Sequence, residues 1–322
     1  LTGRFGNASS RHHSFGWQAE QGVELARRQT AALLSVDPTE VVFTSGATES
    51  INLALKGAVE AAGVARPHVV TLATEHKAVL DVCAYLEQAG RASVTLVPVD
   101  RLGFAGPERI AAALRPDTVL VSVLYANNES ATVQPVRDIA GVTEQAWVLL
   151  HLDSAQAAGK IPTEPGVGEL ISISGHKLYG PKGVGALVIR RGVRIAPQTH
   201  GGGHERGFRS GTLNVPAIVG LGAACEIAAK ELPRERARLA DLRDWLLAAL
   251  QQKLEGVILN GPPCESRLPH NLNLRFEGVD AASVMTAVPV IAVSTGLACT
   301  SANPKPSHVL EAIGLSRAEA LG

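Results

Sequence analysis

Near-continuous apolar runs alternate with amphipathic stretches through the first two thirds of the chain. Glu40–Thr44, His68–Leu72, Ser93–Val97, Thr118–Leu124 and Trp147–Leu152 read as short buried strands. Between them lie helical patterns: from the small residues Ser45–Thr48 to about Val59, then Lys77–Glu87 and Pro107–Leu114. Strands without polar alternation, separated by helices, mark a parallel or mixed sheet covered on both faces, an α/β layer fold. After Pro216 the texture changes. Ala217–Ala229 and Arg234–Leu254 read as two helices, and Leu239, Leu242, Leu246 and Leu250 give the second a packing face. Short strand patterns at Val257–Leu259 and Asn271–Phe276 and a helix near Ala281–Ala287 follow. We expect a large domain over 1–231 and a smaller α+β domain over 232–322.

Composition narrows the partners. Thirty basic residues balance thirty acidic ones, so no charge excess drives binding to nucleic acid. With 46% hydrophobic and 19% charged residues, disorder is excluded and a sizeable core is expected. The longest apolar stretches, 217–229 and 284–293, are too short to span a bilayer. Cys83, Cys225, Cys264 and Cys299 form no Cys-x-x-Cys pair, which points to free thiols in a reducing compartment and a cytoplasmic protein. The chain opens on Leu1 and holds one Met, so we expect part of a longer gene product.

The chemistry-bearing residues lie at strand ends. Lys177, in Ser174-Gly-His-Lys177, follows a buried strand, where desolvation would make its amine a nucleophile toward a carbonyl. Ser45-Gly-Ala-Thr48, at a strand-to-helix junction, exposes backbone N–H groups able to cradle a phosphate. Asp153 and Gln156 supply a carboxylate and an amide just after another strand. A pyridine-type cofactor needs this set: an acid for the ring nitrogen, a phosphate cradle and an amine for its aldehyde. Ligands of α/β sheets bind outside the carboxyl ends of the strands, where all three sit. Judged alone, each is an ordinary loop feature. Their combination is specific.

Six segments in order resemble the cysteine desulfurase family of pyridoxal-phosphate enzymes of fold type I. They are Phe43–Ser50, Thr74–Val79, Asn127–Glu129, Ser174–Lys177, His200–Gly207 with Arg209–Thr212, and Ala298–Ala302. The short Ala-Cys-Thr-Ser-Ala run around Cys299 is similar to the group whose active cysteine lies on a long loop. The resemblance implies a fold type I transferase with a large, mostly parallel domain. It implies that Lys177 carries pyridoxal 5'-phosphate and moves protons at the substrate Cα. Asp153 would pair with the ring nitrogen, Gln156 with the phenolic oxygen, and His76 would stack on the ring and act as acid or base. Ala47, Thr48, Ser174 and His176 would hold the phosphate, with Thr212 reaching it from the partner subunit of a homodimer. Asn128 would contact substrate carboxylate or cofactor. Cys299 would take sulfur from L-cysteine as a persulfide, leaving alanine, and pass it to a protein acceptor. No metal is implied, although His200 and His204 with Cys299 are zinc-type ligands. Arg206 and Arg209 are expected to order the dimer interface.

The chain departs from the family pattern in two places. The family opens with an acidic, Ala-Thr-Thr-containing segment that nothing here matches, and it continues to an arginine clamping the substrate carboxylate, which the 322 residues do not reach. Selenocysteine lyase or cysteine sulfinate desulfinase activity shares the cofactor site, but Cys299 argues against both. A non-catalytic sulfur-transfer scaffold would have no use for Lys177, Asp153, Gln156 and His76 together. The sulfur's destination, whether iron–sulfur clusters, sulfur-modified nucleic acids or cofactors, is not encoded in these residues.

Overall fold

The computed structural model describes residues 6–295 and 306–322. Its helices are α1 (Ser14–Leu34), α2 (Ala47–Ala61), α3 (Lys77–Gln88), α4 (Pro107–Ala113), α5 (Val136–Gln145), α6 (Val215–Lys253), α7 (Ala281–Ala287) and α8 (His308–Ala312). Its strands are β1 (Val41–Thr44), β2 (His68–Leu72), β3 (Ser93–Val97), β4 (Thr118–Leu124), β5 (Leu149–Asp153), β6 (Leu170–Ser174), β7 (Gly185–Ile189), β8 (Val257–Leu259) and β9 (Leu274–Phe276). The first seven strands form one sheet in the order β1-β7-β6-β5-β4-β2-β3, and β8 and β9 pair separately. Strands β2 to β6 run parallel. β7 is antiparallel to both β1 and β6, so β1 points the same way as the parallel set. The carboxyl ends of β1, β2, β4, β5 and β6 therefore open on one edge.

Period-two alternation sends successive side chains to opposite faces. Val41, Phe43, Val121, Val123, Leu150 and Leu152 pack in one core with α1 and α6, whereas Val42, Val69, Leu120 and Leu187 pack in another with α2 and α3. On the α2 face the apolar layer gives way to polar groups toward the carboxyl edge. His151 Nδ1 bonds Ser122 Oγ at 2.8 Å and its Nε2 bonds Ser172 Oγ at 2.9 Å, all three fully buried. The imidazole joins three strands directly beneath the site edge.

The α/β reading holds, with three local differences. Trp147 does not begin a strand: its N–H closes the end of α5 onto Glu144 and it takes a left-handed φ of 57°, so β5 starts at Leu149 and extends to Asp153. The two helices expected after Pro216 are one, α6, which runs through Pro233 and through position 231. Ion pairs bridge adjacent turns before the proline (Lys230–Glu226), across it (Arg234–Glu231) and after it (Arg238–Glu235). Leu242 and Leu246, expected on a packing face, stand exposed. No helix among the described residues is long and apolar enough to cross a membrane.

Candidate active site

A cavity of about 470 Å³ opens on the carboxyl edge of the sheet. Ala47, Thr48, His76, Asn128, Asp153, Gln156, Ser174, His176 and Lys177 all line it. They come from five strand ends, after β1, β2, β4, β5 and β6. Thr212 is exposed and lies outside it. Cys299 lies outside the described residues.

Each side chain is placed by a local device. β1 ends at Thr44, and Gly46, with a φ of 151°, turns the chain into α2. No side chain caps this helix, which leaves first-turn N–H groups facing the cavity. Gly185 on β7 must lack a side chain, because a Cβ there would lie 2.6 Å from Gly46 Cα. Glu49 sits in the same first turn, where a free carboxylate would repel an anion. Burial raises its pKa, but Arg209 at 2.7 Å and the Ser45 N–H at 2.7 Å outweigh that and hold it below the ordinary carboxyl value. Arg209 thus pairs within its own chain. Arg206 does so too, donating to the Val41 carbonyl at 2.7 Å.

Asp153 is 2% exposed and accepts from the Ala155 N–H at 3.0 Å. Burial pushes it up to about 6, against the pull of that hydrogen bond and of Lys177. His76 caps α3, its Nδ1 accepting from the Ala78 N–H at 3.1 Å, so the neutral ring carries its proton on Nε2. Partial desolvation and then the Lys177 charge hold His76 below its ordinary value. Ser174 Oγ and His176 Nδ1 lie 2.9 Å apart. Lys177 corrects an expectation: it is exposed rather than desolvated, because the short turn Gly175–Leu178 carries it out of the sheet to the mouth of the cavity.

The site fits a phosphorylated pyridine. Uncapped N–H groups at one end answer a phosphate, and a buried acid with no ion-pair partner among the described residues answers a ring nitrogen. The aminotransferase class-V family matches residues 1–318. The chain belongs to that family. It is 50% identical over 320 residues to the cysteine desulfurase IscS of Anaeromyxobacter dehalogenans, an alignment covering 98% of this chain and 79% of that protein. Among solved structures, a NifS-like protein is 38% identical with a TM-score of 0.91, covering 99% of this chain and 85% of that one. SspA in complex with cysteine is 35% identical with a TM-score of 0.85, covering 98% and 89%. Within the class-V family, the chain groups with the cysteine desulfurases.

Three features escaped the sequence reading. Glu49 and Arg209 stood in quoted segments, but their pairing spans 160 residues. The buried Arg27–Glu205 pair spans 178 and gave no local signal. Glu75 was visible only as the neighbour of His76.

Proposed function

We propose that this chain is a pyridoxal-phosphate-dependent cysteine desulfurase that converts L-cysteine to L-alanine and hands the sulfur on through Cys299. One observation carries the reading: nine candidate residues from five strand ends line a single cavity. Pyridoxal phosphate, when bound, supplies the electron sink that lets a proton leave the substrate Cα. Lys177 Nζ would carry it and move that proton. Asp153 would hold the ring nitrogen protonated, giving the buried carboxylate a close cationic partner. Gln156 would bond the phenolic oxygen. Ala47, Thr48, Ser174 and His176 would grip the phosphate, and Asn128 would orient substrate. His76, with its proton on Nε2, can deliver it at the substrate side. The Cys299 thiolate attacks the substrate sulfur, the Cβ–S bond breaks with its electron pair going to Cβ, and Cβ takes up a proton. The products are alanine and a Cys299 persulfide, which a protein acceptor relieves of its outer sulfur.

The two buried cysteines support this division of labour. Burial pushes Cys83 up to about 12 and Cys225 up to about 11, so neither is a thiolate near neutrality. Thr212 stands on the surface loop that Arg209 ties to Glu49, a position suited to reaching the phosphate of a partner subunit in a homodimer. We retain the division into a cofactor domain over 1–231 and a smaller one over 232–322, in a reducing cytoplasm. The test is alanine release from cysteine. Cys299→Ala should cut it by about a hundredfold or more while the cofactor's absorbance stays. Lys177→Ala should abolish both. A wild-type chain that binds pyridoxal phosphate but forms no alanine would overturn the reading.

A further inference from the structure

The turn that presents His76 holds a carboxyl for which the chemistry above has no use. Glu75 is fully buried, and its Oε1 accepts from the Leu124 N–H at 2.7 Å. Its Oε2 is buried with no hydrogen-bond partner among the described residues. Leu124 is the last residue of β4 and lies in register with Asp153 on β5, so the second carboxyl of the site is next to the first. The Glu75 backbone is fixed as well. Its carbonyl accepts from His308 Nε2 of α8 at 2.9 Å, and Asn127 Nδ2 donates to the Thr74 carbonyl at 2.9 Å.

An ionised carboxylate in this position would have no counter-ion among the described residues and would face a like charge, both costly for a buried acid. A neutral acid keeps the Leu124 bond, since a carbonyl oxygen still accepts, and removes both penalties. We propose that Glu75 is a positioning residue that works as a neutral carboxylic acid, tying the His76 turn to the end of β4 while leaving the negative charge under the ring site to Asp153. What is positioned rests on the desulfurase reading; the state of the acid does not. The titratable groups facing Glu75 are Asp153 from β5, Cys83 from α3, His308 from α8 and His76 beside it. Burial raises Glu75 well above the ordinary carboxyl value. The Leu124 hydrogen bond opposes the rise, and Asp153 adds to it.

The sign of the pH dependence follows. A carboxyl with a raised folded-state pKa stabilises the fold most below its unfolded value of 4.5, and that contribution fades as pH climbs toward the folded value. Glutamine at this position holds the same hydrogen bond without a proton to lose. The experiment compares the full chain with Glu75→Gln and Glu75→Ala, each with and without pyridoxal phosphate. Infrared spectra of the wild type near pH 7 should contain a protonated-carboxyl carbonyl band that Glu75→Gln lacks. The melting temperature of Glu75→Gln should gain on the wild type as pH rises above about 5. Alanine formation should stay within about threefold in Glu75→Gln and fall about tenfold or more in Glu75→Ala. Absence of the band, parallel melting curves, or a Glu75→Gln chain that is unfolded or as impaired as Glu75→Ala each overturns the proposal. If the wild type makes no alanine, the desulfurase reading fails, and the infrared and melting measurements still decide the state of Glu75.

Discussion

His151 illustrates what a single buried residue contributes beneath this site. Both ring nitrogens are used, by Ser122 and Ser172, and burial holds the imidazole down to about 3 from an ordinary 6.5. The unfolded chain takes up a proton at this residue below pH 6.5 and the folded chain does not until about 3, so folding stability should decline as pH falls through that window. Urea titrations at intervals between those values should show a decline that is shallower in His151→Asn, and equal slopes would exclude the assignment. At this scale the sequence was informative where a residue sat in a run of recognisable neighbours, as Lys177, His76 and Asp153 do. It was uninformative about charge state. Lys177 was expected to be desolvated and is exposed, while the buried acid that needed explaining was Glu75.

The elements follow from pattern and punctuation, and their ends from caps. β2 and β3 occupy the expected residues, because turn residues bracket each apolar run. The failures are positional overrides. Trp147, β-prone by type, is spent on the left-handed residue that terminates α5. Pro233, a breaker by type, is carried within α6 because helix on both sides of it is sustained by ion pairs and, toward the N-terminus, by packing on α1. Where α6 meets α1 the approach is close, with a Cβ at Gly222 falling 2.5 Å from Ala26 Cα. Two outcomes are expected in urea unfolding. Pro233→Ala, at an exposed position, should stabilise the chain by about 1–3 kcal/mol by restoring a helix hydrogen bond. Gly222→Val should destabilise it by about 1–3 kcal/mol by forcing the helices apart.

Over the whole molecule, long-range polar ties hold the cavity's walls together. Glu205 receives Arg27 through two bonds, at 2.8 and 2.9 Å, and also the Phe43 N–H at 2.7 Å, while the Arg27 guanidinium lies 4.8 Å from the Phe43 ring centre. Glu205 and Arg206 both take left-handed backbone angles there, with φ of 49° and 57°. The pair thus fixes α1, the strand leading into the phosphate cradle, and the loop that carries Arg209 and Thr212. Removing the Arg27 charge takes from buried Glu205 its ion-pair partner, whereas Arg27 also holds Glu24 at 2.9 Å. Arg27→Met should cost about 3–5 kcal/mol in urea unfolding, and Arg27→Met with Glu205→Leu should recover part of it. Full additivity of the two substitutions would show that the pair acts separately. The sequence by itself determined the α/β layering, the strand ends that bear chemistry and the family, because these depend on local periodicity and on short runs of residues. Only the tertiary structure decided which strand ends share a cavity, which carboxyls lie next to each other and which loop is tied to which strand. Those relations join residues far apart along the chain, and burial, which sets their charge, is a property of the assembled fold.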